Sequence, residues 1–531
     1  MKNLALPRIK EMRIYSPPLG GRRAFSGILL DFNERTLSPS PKVARAIRNL
    51  LKSNKLQLYP EYGKLEKKLA QYAGVGKDQI MITNGSDQAI DIVLRTFTEK
   101  GDKVIIPTPS FAMFYQSAQI LGNKIITPLY ERSSIRDSVS LYKKENLSFP
   151  LDEVLEKIDD LVKIIVVCNP NNPTGTLISI KDIEKIAQKA QNSIILVDEA
   201  YFEFSKVTAV PLIKKYQNII VARTLSKAFG LPSLRIGYIV ASKIYIGELL
   251  KVRGPYDVNM VAEVAATASL DDLKAMQKYT KEVTEIAKPM VEEFFAQNSI
   301  TFYQSYGNFL LYKPRLKKEE KLLKENGILV RPQDKTNIEK TLRLSIGTEA
   351  QMRRFIKVYQ KVILDEFKPK RYAFLDRDGT LIFEPQDTYQ IDSLKKLKIL
   401  DGVIKGLKKL TKKGYQLIMV TNQDGLGTSA LPKANFEAPQ NKLLSFFKEN
   451  GINFKKIFIC PHLPSENCDC RKPKIGLLKK FLRENTINKS QSFVCGDRTT
   501  DKLFAKNLGI KFISVTTNGD FYNSLAQGGI L

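Results

Sequence analysis

The chain has 531 residues, of which 43% are hydrophobic and 26% are charged, a composition typical of a soluble globular protein of roughly three domains. Its start lacks the apolar core of a signal peptide and no run of about 18 apolar residues occurs, so we expect a cytoplasmic protein that is neither secreted nor membrane-spanning. The net charge of +29 is spread over the whole chain and not gathered in an arginine-rich arm, which predicts a lysine-rich surface attractive to phosphorylated substrates rather than a nucleic-acid-binding site.

Apolar runs bounded by turns alternate with amphipathic stretches in the first two thirds of the chain. Residues 64–73 and 181–190 have helical periodicity, and a long amphipathic segment covers residues 350–367. This alternation predicts an α/β fold around a largely parallel sheet. Its strands are predicted at residues 80–83, 104–107, 162–168, 193–198 and 219–224.

The alternation starts again after a short basic connector, Lys368-Pro-Lys-Arg371. No internal repeat relates the two parts, so we predict two unrelated α/β folds joined end to end, residues 1–367 and 372–531, with a linker at 368–371. The strands of the second fold are predicted at residues 372–376, 416–421, 456–460, 492–497 and 510–515.

Four motifs of the first part follow one another in the order and spacing of a known family. They are Asn169-Pro-Asn-Asn-Pro-Thr-Gly175, SIILVDEAY around Asp198, RTLSKAFGLPSLRIGY around Lys227, and TLRLSIGT around Arg343. Together with YSPPLGGRR and LLDFNERTLSPSP near the start, they resemble the pyridoxal-phosphate-dependent aminotransferases of fold type I, and within these the histidinol-phosphate aminotransferases, over roughly residues 10–365. The resemblance implies a large and a small domain and a homodimer.

The resemblance implies that five residues hold the ring of pyridoxal 5′-phosphate. Lys227 would form a Schiff base with the aldehyde and then shuttle a proton, and both tasks need an amine that burial near other cations keeps neutral. Asp198 would pair with the pyridine nitrogen and make the ring an electron sink. Asn172 and Tyr201 would bond to the ring hydroxyl, and Phe111 would stack on the ring.

The cofactor phosphate requires hydrogen-bond donors at the start of a helix. The segment Asn84-Gly-Ser-Asp87 lies between a predicted strand and a helical stretch, so the backbone amides around Ser86 and Asp87 can face an anion. By the resemblance, Ser226 and Arg235 complete this phosphate site. Tyr59 matches a tyrosine that reaches the phosphate from the neighbouring subunit.

Arginines are the candidates for binding substrates of the first part. Arg343 matches the arginine that receives the substrate carboxylate through a bidentate contact. A second substrate that is a phosphate ester needs a further cation, for which Arg331 is the best candidate and Arg22 and Arg23 are weaker ones. Aromatic aminotransferases and a threonine-phosphate decarboxylase share this scaffold, so the first part alone leaves the substrate open.

The second part begins with AFLDRDGTL, a strand that runs into Asp376-x-Asp378-Gly-Thr. One carboxylate at such a strand end can attack phosphorus while the other protonates the leaving alkoxide and then activates water. Three further motifs follow: Val420-Thr-Asn-Gln423, Arg471-Lys-Pro473 and Gly496-Asp-Arg-Thr-Thr-Asp501. The four motifs resemble the haloacid-dehalogenase superfamily, which has a Rossmann-like fold.

This second resemblance implies a role for each motif. Asp376 would be the nucleophile and Asp378 the general acid and base, and magnesium would be held by Asp376, the Asp378 carbonyl and Asp497. Asp501 would support the site rather than contact the metal. The residues expected to hold the substrate phosphate or balance its charge are Thr421, Asn422, Arg471 and Lys472.

The chain's only histidine, His462, shares a short segment with three of the five cysteines. Cys460, His462, Cys468 and Cys470 make a Cys3His set, the ligand inventory of a closed structural zinc site. Because the one histidine is committed there, Ser-His-Asp and Cys-His chemistry is excluded. The other two cysteines, Cys168 and Cys495, lie in apolar runs, so no disulfide framework is expected and a reducing cytoplasm fits.

The segments LIFEPQDTYQID, VTNQDGLGT and ICPHLPSENCDCRKPK narrow the resemblance to histidinol-phosphate phosphatase, in which Glu384 and Gln390 are the residues expected to meet the substrate's imidazole or amine. The two halves then describe consecutive reactions: amino transfer from glutamate to imidazole-acetol phosphate, and hydrolysis of the resulting histidinol phosphate to histidinol. The alternative keeps both chemistries with other substrates, such as an aromatic amino acid and a heptose-bisphosphate-like sugar phosphate.

Overall fold

A computed structural model of the protein describes residues 4–134 and 144–531. The chain divides into two units between Ile363 and Leu364, four residues before the predicted linker. Within the linker, the backbone of Lys370 already bonds to the second unit, since its amide donates to the Thr486 carbonyl at 3.0 Å and its carbonyl accepts from the Asn488 amide at 2.9 Å.

A seven-stranded sheet lies at the centre of the first unit. Its strands are rich in β-branched residues and buried, as expected for parallel strands covered on both faces. Only Gly237–Val240 runs antiparallel to its neighbours. In spatial order the strands are Ile80–Thr83, Gly237–Val240, Ile219–Thr224, Ile194–Asp198, Val162–Cys168, Lys103–Ile105 and Lys124–Ile126.

A six-stranded sheet forms the second layer of this unit. In spatial order its strands are Arg331–Gln333, Thr341–Ser345, Phe309–Tyr312, Phe302–Tyr303, Lys144–Ser148 and Glu131–Ser134. A two-stranded parallel pair, Ile28–Leu29 with Ile328–Leu329, ties the start of the chain to this layer. Because Leu30 also accepts an amide hydrogen bond from Ser345, residues just after Leu30 lie near the end of the strand Thr341–Ser345.

Helices pack around these sheets. The amphipathic segment predicted at residues 350–367 is longer than the α-helix that the structure shows. The helix Glu349–Val362 begins at a capping box at Thr348 and has Ile363 as its C-cap residue. A single 3₁₀ turn, Leu364–Phe367, follows. The helices of the first unit are Pro7–Glu11, Pro41–Lys52, Gly63–Ala73, Gly85–Phe97, Ala112–Leu121, Leu151–Glu156, Ile180–Lys189, Phe202–Ser205, Lys243–Val252, Met260–Leu270, Leu273–Lys281, Glu282–Ala287 (a π-helical turn), Lys288–Gln297, Glu319–Glu325 and Glu349–Val362.

The second unit contains a five-stranded, fully parallel sheet. In spatial order its strands are Phe454–Cys460, Gln416–Asn422, Tyr372–Leu375, Phe493–Gly496 and Lys511–Ser514. Its helices are Val403–Lys412, Lys433–Glu449, Lys479–Glu484, Thr499–Leu508 and Phe521–Gln527. The predicted α/β fold class is therefore confirmed in both units. In the second unit three of the four motifs lie at the carboxyl ends of adjacent strands, where parallel sheets bind ligands.

Among the residues that the structure describes, no helix is both long enough and apolar enough to cross a membrane.

Candidate active sites

A cavity of about 430 Å³ opens at the carboxyl ends of the large sheet in the first unit. Most residues that the sequence predicts around a cofactor line it. They are Ser86, Asp87, Phe111, Asn172, Asp198, Tyr201, Ser226, Lys227 and Arg235. The fold thus brings side chains from distant motifs, from Ser86 to Arg235, into one cavity.

The amine of Lys227 lies in this cavity and donates to the carbonyl of Phe32 at 3.0 Å. Burial is the largest cause that lowers the pKa of Lys227 to about 8, and the positive charge of Arg343 lowers it further. The carboxylates of Glu34 and Asp87 oppose this shift. With a pKa of about 8, about a tenth of the amine is neutral and nucleophilic at pH 7, far more than for a lysine of ordinary pKa.

Asp198 ends a central strand and is buried, with 3% of its surface exposed. Its Oδ1 accepts a hydrogen bond from the Ala200 amide at 2.9 Å. Burial raises the pKa of Asp198 to about 7, although the Ala200 hydrogen bond opposes the change. A cationic N–H group in the cavity would reverse this shift, because a charged partner stabilises the carboxylate.

Arg343 and Asn172 form a hydrogen-bonded pair beside the cavity. Arg343 Nη1 donates to Asn172 Oδ1 at 2.6 Å, and Nη2 donates to the Asp31 carbonyl at 2.7 Å. Nε of Arg343 is buried and has no hydrogen-bond partner among the described residues. Tyr201 is held separately, since its hydroxyl accepts from Asn33 Nδ2 at 3.0 Å. The guanidinium is thus fixed and still has a donor to offer to a ligand.

Backbone amides line the end of the cavity at the start of the helix Gly85–Phe97, where Gly85 has φ +73°. A Cβ at Gly237 would lie 2.8 Å from the carbonyl carbon of Gly85 and 2.9 Å from the amide nitrogen of Ser86, so only glycine allows this approach. Arg235 lies beside this helix start, paired with Asp87 at 2.7 Å. This arrangement can bind an anion.

Besides Arg343, four further predicted residues do not line this cavity. Tyr59 is 71% exposed and stacks on Tyr256 with ring centroids 4.0 Å apart. The guanidinium of Arg331 lies 5.2 Å from the ring centroid of Phe32, which does line the cavity. Arg22 pairs with Asp31 at 2.9 Å and with Glu34 at 2.5 Å, so its charge is already balanced. Arg23 is exposed.

Sequence reasoning missed two groups in this region. The carbonyl of Phe32 accepts from Lys227, but a main-chain acceptor has no residue-type signal. Lys335 donates to the Ser110 carbonyl at 2.6 Å, and burial followed by the charge of Arg343 lowers the pKa of Lys335 to about 8. Lys335 comes four residues after Arg331, and the motif pattern assigns nothing to that position.

A second cavity, of about 460 Å³, lies in the second unit at the carboxyl ends of its parallel strands. It brings together predicted residues from the first three motifs and from the segment after the first motif, namely Asp376, Asp378, Glu384, Gln390, Thr421, Asn422, Arg471 and Lys472. The fourth motif lines it with Arg498, Thr499 and Thr500, whereas its predicted residues Asp497 and Asp501 do not line it.

Lys472 lines this cavity and is buried between two carboxylates. Its Nζ lies 2.7 Å from Asp376 Oδ1 and 2.6 Å from Asp501 Oδ1. Burial alone would lower the pKa of Lys472, but the charges of Asp376 and Asp501 raise it above its usual value. Burial and the charge of Asp376 raise the pKa of Asp501 to about 6. The lysine is therefore a permanent cation beside Asp376.

Side-chain oxygens of Asp376, Asp497 and Asp501 lie within 4.8 Å of one another. Asp497 accepts from Thr380 at 3.2 Å and from Thr517 at 2.9 Å. Burial and the charge of Asp376 raise the pKa of Asp497. These crowded carboxylates fit a divalent cation, because hard cations take oxygen ligands and relieve the repulsion.

The other predicted residues of this cavity are engaged by neighbours. Asn422 uses both ends of its amide on the backbone of Lys472, accepting from the amide at 3.0 Å and donating to the carbonyl at 3.3 Å. Arg471 forms an ion pair with Asp424 and donates to the His462 carbonyl at 3.1 Å. Glu384 is buried and forms an ion pair with Arg498, and burial raises the pKa of Glu384. Gln390 lines the cavity opening.

The predicted zinc ligands converge. One ligand atom from each of Cys460, His462, Cys468 and Cys470 lies within 4.8 Å of the others. Cys460 Sγ is 3.7 Å from Cys468 Sγ and 3.2 Å from Cys470 Sγ, and His462 Nδ1 is 3.0 Å from Cys470 Sγ. Four N and S ligands in this compact arrangement fit a tetrahedral ion such as Zn²⁺.

Comparisons with known proteins follow the same division of the chain. Residues 26–358 match the family model described as aminotransferase class I and II, and residues 371–517 match the one described as polynucleotide kinase 3 phosphatase. These matches confirm the predicted order of an aminotransferase part followed by a phosphatase-like part.

Individual relatives match the first unit. A histidinol-phosphate aminotransferase of Ruminiclostridium cellulolyticum is 31% identical over 362 residues, which are 67% of this chain and 96% of the relative. One of Thermoanaerobacter sp. (strain X514) is 36% identical over 328 residues, or 60% of this chain and 88% of the relative. The fold is shared with a crystal structure of histidinol-phosphate aminotransferase from Sinorhizobium meliloti in complex with pyridoxal-5′-phosphate, which is 22% identical, has a TM-score of 0.59, and covers 69% of this chain and 99% of that chain.

The match to the aminotransferase family model covers more than half of the 531 residues, including the four motifs that contain Asn172, Asp198, Lys227 and Arg343. The chain therefore belongs to the class I and II aminotransferase family.

Proposed function

We propose that the protein is a bifunctional enzyme of histidine biosynthesis. Its first unit transfers an amino group from glutamate to imidazole-acetol phosphate and yields L-histidinol phosphate. Its second unit hydrolyses this ester to histidinol and phosphate with Mg²⁺. The observation that carries the proposal is one chain in which an aminotransferase cavity around Lys227 is followed by a phosphatase-like cavity around Asp376. Histidinol-phosphate aminotransferases resemble the first unit, and the product of that reaction is a phosphate monoester.

The first cavity suits pyridoxal 5′-phosphate, which supplies an electron sink when bound. Asp198 would pair with the ring nitrogen, as suits a buried carboxylate whose Oδ1 has one amide partner. Tyr201 and Asn172 would hold the ring hydroxyl, and Phe111 would lie against the ring. Lys227 would hold the aldehyde through its amine and would move the proton at the substrate Cα, for which a partly neutral amine is required.

The same cavity has an anion-binding end for the cofactor phosphate. The amides of Ser86 and Asp87 at the helix start donate to it, together with the Ser226 hydroxyl and Arg235. An ion pair between Arg235 Nη2 and Asp87 Oδ2, 2.7 Å apart, holds the arginine in place. Tyr59 is exposed and turned to solvent, which suits a residue that reaches the phosphate of a second subunit in a homodimer.

Two cations serve the substrates of amino transfer. Arg343 receives the substrate carboxylate through its unpartnered Nε, while its other nitrogens keep it in place. Arg331 receives the phosphate of the second substrate. Lys335 adds positive charge near both arginines, as the lowered pKa of Lys335 reflects.

In the second unit, a carboxylate oxygen of Asp376 attacks phosphorus and the bond from phosphorus to the alcohol oxygen breaks. Asp378 donates a proton to that oxygen, then takes one from the water that releases phosphate from Asp376. Lys472 stays charged and balances Asp376 and the phosphate. Asp376, the Asp378 carbonyl and Asp497 are the ligands for Mg²⁺, which screens phosphate charge when bound.

Substrate choice in the second cavity depends on its rim. Thr421, Asn422 and Arg471 lie where they can meet phosphate oxygens, and Glu384 and Gln390 lie where a cationic amine or an imidazole can be held. The zinc site keeps Arg471 and Lys472 in place, because the ligands Cys468 and Cys470 directly precede them. We assign the protein to the cytoplasm, where its free thiols stay reduced.

Phosphate release from a substrate panel tests the assignment. Purified protein with Mg²⁺ is expected to prefer histidinol phosphate over heptose 1,7-bisphosphate and over an oligonucleotide with a 3′-phosphate. Asp376→Asn should abolish release, whereas Lys227→Ala should leave it unchanged and remove the absorbance of bound pyridoxal phosphate. Preference for the sugar phosphate would favour the alternative pairing with an aromatic amino acid. Preference for the oligonucleotide would assign the second unit to nucleic-acid ends.

A further inference from the structure

Arg377, between the two aspartates of the first phosphatase motif, is fully buried, with 0% of its surface exposed. Its Nη1 donates to Asp378 Oδ1 at 2.7 Å. Nε and Nη2 are buried without a hydrogen-bond partner in the described part of the chain. Its guanidinium carbon lies 4.9 Å from the ring centroid of Phe436. Burying an arginine with two donors unused is costly, so stability does not explain this residue.

Asp378 is held from two sides. Its other oxygen, Oδ2, accepts from Gln423 Nε2 at 2.5 Å, and the same Nε2 lies 2.9 Å from Thr421 Oγ1. The Arg377 and Gln423 contacts leave the carboxyl group little freedom to turn about its Cβ–Cγ bond. Asp378 nevertheless faces the cavity, so the orientation that these contacts select is the one presented to a substrate.

We propose that Arg377 is a positioning residue that fixes the side chain of Asp378 for proton transfer to the leaving alcohol. The inference rests on the proposed phosphatase function. When Asp376 attacks phosphorus, the phosphorus–oxygen bond to the alcohol breaks and the proton of Asp378 passes to that oxygen. The donor must lie within hydrogen-bond reach of the oxygen, and a carboxyl group that turns freely spends less time there.

The dependence of rate on the leaving group separates positioning from a structural role. Two esters of similar size serve as probes: p-nitrophenyl phosphate, whose leaving group departs without a proton, and benzyl phosphate, whose alkoxide requires one. The quantity compared is kcat/KM, because it reports only the steps up to alcohol release. In Arg377→Met, which keeps an apolar side chain against Phe436, we expect kcat/KM to fall at least about 10-fold more for benzyl phosphate than for p-nitrophenyl phosphate.

Activity towards p-nitrophenyl phosphate shows that the pocket of the variant is folded. Arg377→Lys keeps one cationic donor and should recover part of the lost benzyl phosphate activity. Equal loss for both esters would overturn the inference. If Arg377→Met is inactive with both, Arg377→Lys decides, with a selective loss supporting the inference and an equal loss overturning it. If the unsubstituted protein hydrolyses neither ester and releases no phosphate from histidinol phosphate, the proposed phosphatase function itself fails.

Discussion

The substitution Gly237→Ala, which adds a single methyl group, tests the phosphate-binding end of the first cavity. Gly237 pairs with Thr83 and Thr224, the strand ends that lead into Gly85–Ser86 and into Ser226. In Gly237→Ala the Cβ would meet the Arg223 carbonyl oxygen at 2.7 Å, the Gly85 carbonyl carbon at 2.8 Å and the Ser86 amide nitrogen at 2.9 Å. All three are backbone atoms, so relief requires the strand and the helix start to separate.

Overpacking of this kind lowers the free energy of unfolding by about 1–3 kcal/mol. We therefore expect the Tm of the first unit to fall by several degrees in calorimetry, with the second unit unchanged. Affinity for pyridoxal phosphate, measured by absorbance titration, should also fall, because the amides around Ser86 move.

Gly247→Ala is the matched control. Gly247 lies in the helix Lys243–Val252, and a Cβ there would have nothing within 4 Å. Alanine should raise stability by about 0.5–1 kcal/mol and leave cofactor affinity unchanged. A Gly237→Ala protein with the stability and cofactor affinity of the unsubstituted chain would refute the assignment of this end of the cavity to the phosphate.

Three further predictions concern charge and metal. Arg343 helps to lower the pKa of Lys227 to about 8. Arg343→Met should therefore move the pH midpoint for covalent attachment of pyridoxal phosphate upward in stopped-flow measurements. An unchanged midpoint would contradict this electrostatic account. Lys472→Met leaves the buried carboxylates of Asp376 and Asp501 without their cation and should lower the free energy of unfolding of the second unit by about 3–5 kcal/mol. An unchanged Tm in thermal unfolding would count against this buried pairing. A zinc chelator should expose three thiols to a thiol reagent while Cys168 and Cys495, which are buried, stay unreactive; reaction of all five would mean global unfolding instead.

The strands could be predicted closely from the sequence, because continuous β-branched runs have few alternatives to a buried parallel strand. Residues 162–168 and 219–224 match the observed strands Val162–Cys168 and Ile219–Thr224 in full. The last helix of the first unit is shorter than the predicted segment, because the amphipathic pattern of the sequence continues past Ile363 while the α-helix ends at Val362. Periodicity describes a face and carries no signal for where packing ends a helix.

The motifs also located most residues of both cavities, because most motifs lie at the carboxyl end of a parallel strand. The motifs could not predict which ion pairs and hydrogen bonds each of these side chains makes. Arg22 is neutralised by Asp31 and Glu34, and the amide of Asn422 is used on the backbone of Lys472. Main-chain partners such as the Phe32 carbonyl have no side-chain identity to detect.

The central claim, two consecutive reactions on one chain, is tested most directly by product stoichiometry. With glutamate, imidazole-acetol phosphate and Mg²⁺, the protein should release 2-oxoglutarate and inorganic phosphate at equal rates once the intermediate reaches steady state. Lys227→Ala should abolish both products, and Asp376→Asn should abolish phosphate alone. The account is contradicted if phosphate appears from imidazole-acetol phosphate without 2-oxoglutarate, or if 2-oxoglutarate forms and no phosphate follows.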